Sequence, residues 1–272
     1  MRKNTAPMWA RRLTKYALFA YIGTLVYMIV RPFVGLPFVL AILIFSTLSF
    51  FLFALGHAYI TWGARSTLRF LVISVVVSLV FEAVGVMTGW VYGPYHYGNT
   101  LGPKVFGLVP VLIPIAWFMM LYTAHTVVEW LGRGLSMPQT RSVQVWLSLL
   151  AAFATTAWDL VMDPMMVQHG HWVWEKEGAY FGIPVHNFFG WLLTTFTIYL
   201  LFRWAEGWRS PPHRDRPTRF DAWPAVAYAA TWLGDSILAW EVGLTGPAVV
   251  GFLAMGGFAL LGVGYLGKTI DD

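Results

Sequence analysis

Apolar residues in this chain come in runs about twenty long, the length of helix that crosses the hydrocarbon core of a bilayer. In lipid every backbone N–H and C=O must find its partner inside the protein, so runs of this length specify spanning helices. Eight can be placed, at residues 16–30, 37–62, 68–88, 107–131, 143–163, 185–204, 223–242 and 247–266. The first is the shortest. It follows Arg2, Lys3, Arg11, Arg12 and Lys15 without a small-residue cleavage site, which reads as a retained span and not a signal peptide. With 58% hydrophobic and 11% charged residues, there is too little polar surface to cover a soluble core of this size. The expected fold is all-α, a polytopic membrane helical bundle of about eight transmembrane helices forming a single transmembrane domain over residues 1–272.

The basic residues test that arrangement independently, because Lys and Arg accumulate in cytoplasmic segments. Alternating the spans puts fifteen of the 18 on one side and leaves Arg31, Lys104 and Lys176 on the other, so both termini are expected to be cytoplasmic. A seven-span arrangement breaks the alternation. The basic stretch at residues 208–219 is accounted for by insertion topology, which leaves membrane lipid, and no nucleic acid, as the expected surroundings. There are no cysteines, which excludes disulfides and thiolate chemistry.

On this topology the polar residues fall into two layers. Near the cytoplasmic ends lie His57, His125 and Glu129, where His125 and Glu129 can satisfy each other and His57 can bond a carbonyl. Near the opposite ends lie Glu82, Asp159, Asp163, His186 and Asn187. Asp159 and Asp163, four apart, share one helix face, and carboxyls in so apolar a segment are by default functional. Pro184 in the first helical turn places His186 and Asn187 at a helix N-terminus. Above the acids, two loops carry Trp90, Tyr92, Tyr95, His96 and Tyr97, and His169, His171, Trp172 and Trp174, with Trp191 just beyond; they read as an aromatic mouth over the acids. Asp235 and Glu241 are further candidates for that layer.

The two loops also resemble each other. Glu82, then Trp90-Val91-Tyr92, then Val105-Phe106-Gly107-Leu108-Val109-Pro110 and Trp117, matches Asp159, then Trp172-Val173-Trp174, then Tyr180-Phe181-Gly182-Ile183-Pro184 and Trp191. Residues 68–131 and 143–204 are therefore candidate helix-loop-helix repeats, which would place a pseudo-symmetric site between them.

Two neighbouring carboxyls in an apolar site resist double ionisation, so such a pair offers a general acid beside a base. An isolated double bond of a greasy substrate can be protonated there, with ring faces and the remaining carboxylate steadying the cation. Water then adds, or a proton leaves.

At this point the motifs look familiar. Glu82 with Gly85 and Thr88-Gly89, the turn Gly93-Pro94-Tyr95-His96-Tyr97, Ile113-Pro114-Ile115-Ala116-Trp117, Asp159 and Asp163-Pro164, Gly170 with Trp172 and Trp174, and Gly182-Ile183-Pro184 with Asn187-Phe188 and Gly190-Trp191 resemble the integral-membrane carotenoid biosynthesis family. The resemblance implies a carotenoid 1,2-hydratase in a bacterial or archaeal cell membrane, adding water to the terminal carbon 1–carbon 2 double bond of an acyclic or monocyclic carotenoid without any cofactor or metal. The roles below are read from the residues themselves. Asp159 is assigned as proton donor, Asp163 or Glu82 as its electrostatic partner or the water base, and His186 and Asn187 as water-positioning groups. Three rivals stand beside this: a carotenoid end-group cyclase or isomerase, a metal-dependent membrane lipid hydrolase using His96, His169, His171, His186 and Asp159, and a proton-conducting or transport protein.

Overall fold

The computed structural model describes residues 7–209 and 218–271, with side chains placed as far as residue 264. Of the basic residues counted above, Arg2, Lys3, Arg214 and Arg216 lie outside the described residues, as does the side chain of Lys268. The described chain is eight helices: α1 (Met8–Val30), α2 (Leu40–Trp62), α3 (Ala64–Thr88), α4 (Leu112–Gly134), α5 (Arg141–Gln168), α6 (Val185–Ala205), α7 (Trp223–Glu241) and α8 (Thr245–Asp271). Seven are long and apolar enough to cross a membrane, as expected of a multi-pass membrane protein. The one that falls short is α7, which carries Asp235 and Glu241. It packs nonetheless against α1, α4 and α8 within the bundle.

Helix α4 is the central element, in contact with α2, α3, α5, α7 and α8. Every residue from position 117 to 130 is buried, the pattern of a helix enclosed by others on all sides. Helix α3 shows how the outer helices are patterned. Leu68, Val72, Val76 and Val80 recur every fourth residue and face outward, whereas Phe70, Ser74, Ser78 and Glu82 form the buried stripe on the opposite face. Two serines on that stripe admit close helix packing, and Glu82 is carried inward at its end.

Helix α5 runs to Gln168, five residues past the predicted end, straight through Pro164. A proline inside a helix leaves the carbonyl four residues earlier without its amide partner. Here that carbonyl belongs to Leu160, and the hydroxyl of Tyr180 donates to it at 2.8 Å. The helix therefore continues where the sequence suggested a stop.

The connections α1–α2, α3–α4, α5–α6 and α7–α8 gather at one end. Phe38 meets the ring of His169, and Gln168 donates to the Val242 carbonyl at 3.2 Å. The other end holds the ion pair of Arg69 with Glu206 at 3.0 Å, Arg141 over the Trp208 ring, and Arg11 over Phe220.

Two short strands join the long loops. Strand β1 (Tyr95–Tyr97), from the loop after α3, pairs antiparallel with β4 (Trp172–Trp174), from the loop after α5, in the register Tyr95↔Trp174, His96↔Val173 and Tyr97↔Trp172. Between them in sequence, β2 (Lys104–Val105) and β3 (Val109–Pro110) form a hairpin. Its turn holds Phe106 and Gly107 at φ 51° and 72°, and the turn before α6 holds Phe181 and Gly182 at φ 48° and 88°. Both Phe-Gly pairs thus adopt consecutive left-handed residues, a conformation that tight hairpin turns require. These are the positions matched when the two loops are compared as sequences.

In the layer of His57, His125 and Glu129, His57 lies between the Tyr122 hydroxyl at 2.6 Å and the Phe220 carbonyl at 2.9 Å, as anticipated. Glu129 is met by Arg203, whose guanidinium lies 2.7 Å away with both side chains buried. Arg203 also donates to Ser148 at 2.8 Å and to Gln144. An Arg counted as a topology marker is in fact a structural cation within the bundle.

Candidate functional site

Below the paired loops lies a cavity of about 190 Å³, lined mainly by apolar and aromatic side chains from α1, α2, α4, α5 and α7. Four carboxyls reach it: Glu82, Asp159, Asp163 and Asp235.

Glu82 is fully engaged. The hydroxyls of Tyr95 and Tyr97 donate to Oε2, the latter at 2.8 Å, and the Trp117 indole donates to Oε1 at 2.9 Å. The tyrosines reach it because alternate residues of a strand point the same way: β1 turns Tyr95 and Tyr97 down while β4 turns Trp172 and Trp174 down beside them. Burial first, and the Glu82 carboxylate second, hold both phenols well above the usual tyrosine range, so they remain donors. Three donors and no acceptor suit an ionised carboxylate.

Asp159 and Asp163 are joined by one amide. The Asn187 Nδ2 donates to Oδ2 of Asp159 at 2.7 Å and to Oδ2 of Asp163 at 2.8 Å. The Trp172 indole completes Asp163 by donating to Oδ1 at 2.6 Å. Asp159 Oδ1 is different: it is buried and, among the described residues, has no hydrogen-bond partner. Trp117 and Trp191, which also line the cavity, stack with centroids 4.0 Å apart, and Trp158 meets Trp191 edge-on. Trp158 also donates to Asp235 Oδ2 at 2.7 Å, which brings α7 into the same site.

Glu82, Asp159, Asp163, Asn187, Tyr92, Tyr95, Tyr97, Trp172, Trp174 and Trp191 are all brought to this cavity. His186, His96 and Trp90 are not. His186 and Asn187 are neighbours on a helix and so project about 100° apart; Asn187 is buried and His186 is exposed. His96 sits between Tyr95 and Tyr97 on β1 and therefore points away, 3.7 Å from Glu175. Trp90 is 79% exposed just beyond the end of α3. For His186 and His96 the cause is shared: helix and strand geometry turn neighbours in sequence to different sides.

Three contributors were missed as site residues or left open. Trp117 and Trp158 supply donors to Glu82 and Asp235, and Asp235 itself lines the cavity, whereas Glu241 does not. The signal for Trp117 was its match to Trp191 across the two repeats.

His169 and His171 also line the cavity, their rings stacked at 6.0 Å. His171 Nδ1 lies 2.6 Å from the Thr100 hydroxyl, and His169 Nδ1 lies 2.7 Å from the Met165 carbonyl. Burial, reinforced by His169, depresses His171 to a pKa of about 4, which keeps its ring neutral. With His96 and His186 directed elsewhere, the described residues contain no group of three or more His, Asp or Glu side chains arranged to hold a metal.

Residues 36–258 match the family described as carotenoid biosynthesis protein. A bisanhydrobacterioruberin hydratase from Haloarcula japonica is 32% identical to this chain over 186 residues, covering 68% of the chain and 58% of that protein. The aligned part thus spans little more than half of the relative's length. No solved structure matches.

Proposed function

Because this chain belongs to the carotenoid biosynthesis protein family, we propose that it is a carotenoid hydratase that adds water across the terminal carbon 1–carbon 2 double bond of an acyclic carotenoid end. The observation that carries the reading is the Asp159–Asn187–Asp163 bridge, with Asp159 Oδ1 left bare in an aromatic, largely apolar cavity. The relative's printed name, a hydratase of an anhydro-carotenoid, supports the reaction class.

Asp159 is the acid. Its Oδ1–H delivers a proton to carbon 2, and the electrons of the double bond leave a tertiary cation at carbon 1. Asp163, engaged by Trp172 and Asn187, and Glu82, engaged by three donors, remain acceptors and hold negative charge nearby. An outward face of the Trp117–Trp191 stack adds cation–π stabilisation, worth about 2 kcal/mol or more at a desolvated site. Water then bonds to carbon 1 and loses a proton, giving a tertiary alcohol. Atoms and charge balance with water and protons alone, which is why the reading needs no redox cofactor.

The matching Phe-Gly turns support treating residues 68–131 and 143–204 as repeats, with Glu82 and Asp159 as corresponding acids that specialised into a fixed acceptor and a proton donor. The charge tally supports a site on the non-cytoplasmic side, in what we take to be a bacterial or archaeal cell membrane.

The test is to express the protein in a bacterium producing lycopene or longer acyclic carotenoids and to analyse extracted pigments by chromatography and mass spectrometry. Products heavier by one or two waters are expected. Asp159→Asn should lower their yield by about 10²–10⁴-fold, the usual contribution of a general acid, while the protein still accumulates in the membrane. A pigment isomerised at unchanged mass would replace this reading with a cyclase or isomerase, and full turnover by the variant would remove Asp159 as the acid.

A further inference from the structure

Hydration needs one group that gives a proton to carbon and one that takes a proton from water. Four carboxyls line the cavity, and their hydrogen bonds sort them. Both oxygens of Glu82 already accept, and so do both oxygens of Asp163. Asp159 keeps Oδ1 bare. Asp235 accepts one bond, from Trp158 to Oδ2, and its Oδ1 receives no hydrogen bond from a described residue.

From this sorting we propose that Asp235, on α7, is the base that takes the proton from the attacking water. The inference rests on the hydratase reading above and reassigns the base from Asp163 or Glu82. Asp235 is only partly buried, and it lines the cavity. One helical turn before it, Thr231 also lines the cavity; its hydroxyl is tied to the Tyr21 hydroxyl at 2.6 Å and donates to the Ala227 carbonyl at 2.9 Å. These groups give α7 a polar stretch facing the cavity. Trp158 adjoins Asp159 in sequence and donates to Asp235 Oδ2, which ties α7 to the helix that carries the acid and leaves Asp235 Oδ1 open.

In the step itself, a lone pair of water oxygen bonds to carbon 1, one O–H bond breaks, and that proton moves to Asp235 Oδ1. Asp235 leaves the cycle protonated and Asp159 leaves it ionised. A proton passed between them through water restores both.

The roles separate in deuterated water. In the parent protein the hydrated end carries deuterium at carbon 2. Asp159→Asn forms no cation and so loses both hydration and deuterium uptake. Asp235→Asn still forms the cation, which returns a proton to Asp159 in place of being captured by water. Its hydrated product should fall about 10²-fold or more while unhydrated pigment continues to acquire deuterium at the end group. Equal loss of hydration and exchange in Asp235→Asn would overturn the assignment, as would hydration at the parent rate. Should Asp235→Asn fail to accumulate, Trp158→Phe strips the hydrogen bond from Asp235 and leaves its carboxyl; the ratio of exchange to hydration should then rise, and an unchanged ratio overturns the assignment. A parent protein that neither hydrates nor exchanges any acyclic end overturns the hydratase reading itself, a result distinct from all of these.

Discussion

Replacing Asn187 with Leu is the sharpest probe of the acid pair. The side chains are nearly equal in size, so packing is kept while both N–H donors are lost. Those donors meet Asp159 at 2.7 Å and Asp163 at 2.8 Å. A hydrogen bond contributes about 1.5–3 kcal/mol to a charged acceptor, here Asp163, and about 0.5–1.5 kcal/mol to a neutral one, the protonated Asp159, so the two are worth about 2–4.5 kcal/mol. Part of this is recovered when the abandoned carboxyls share a proton with each other, as neighbouring carboxyls do. A loss near the lower bound, about 2 kcal/mol, corresponds to roughly 30-fold in rate or equilibrium. Turnover is read from pigment composition per unit of membrane protein, and stability from thermal unfolding in detergent, followed by fluorescence-detected size exclusion. The expected result is a turnover loss of about that size, accompanied by a lower unfolding temperature. Turnover within about threefold of the parent, less than 1 kcal/mol, would show that the amide does not set the protonation or position of the pair.

Gly190→Ala should destabilise the protein by about 1–3 kcal/mol, the usual range for overpacking. A Cβ there would lie 2.2 Å from the Val91 carbonyl oxygen and 2.6 Å from the Tyr92 ring, and backbone cannot step aside as a side-chain tip can; an unchanged unfolding temperature would contradict the packing of α6 on this loop. By contrast, Trp90→Ala, His96→Ala and His186→Ala should each turn over within about twofold of the parent, since exposed substitutions usually stay within 0.5 kcal/mol; a tenfold loss at His186 would place that ring in the site after all. For His171, folding favours the neutral ring, with a pKa of about 4 against an ordinary value of 6.5. The unfolded chain therefore binds the extra proton first, and stability falls as pH drops from 6.5 towards 4, by at most about 3 kcal/mol. His171→Gln should flatten that part of the pH–stability curve, and an unchanged slope would assign it to other groups.

The helices and the convergence of Glu82, Asp159, Asp163 and Asn187 were legible in the sequence because each rests on a strong local signal. Apolar run length marks the spans, and a carboxyl within one is costly enough to demand a use. Side-chain direction was less accessible. Asn187 and His186 carry similar polar signals, and only the rotation of α6 decides that one is buried. The same holds for His96, whose direction depends on Tyr95 and Tyr97 being a strand and not a turn. Partner choice was hidden more deeply. Nothing in the spacing of Arg203 announces that it crosses to Glu129 and Gln144 on two other helices, and the pairing of Trp158 with Asp235 joins positions 77 residues apart. Helix α5 outran its predicted end because the remedy for Pro164 lies at Tyr180, in a loop with no helical periodicity of its own.

The pairing of β1 with β4 also bears on how the protein is made. Three-residue strands have no stability in isolation, so neither loop holds its aromatic residues in place until the other is present. While the chain is being synthesised, Glu82 is inserted long before Trp172 and Trp174 emerge, and for that interval Tyr95 and Tyr97 lack the strand that aligns them. The ladder thus acts as a late clasp between the earlier and later parts of the chain. Reactive acids become enclosed only when both parts have been delivered to the membrane, and a prematurely terminated chain ending before residue 172 would carry Glu82 and Asp159 with no roof to form a working chamber.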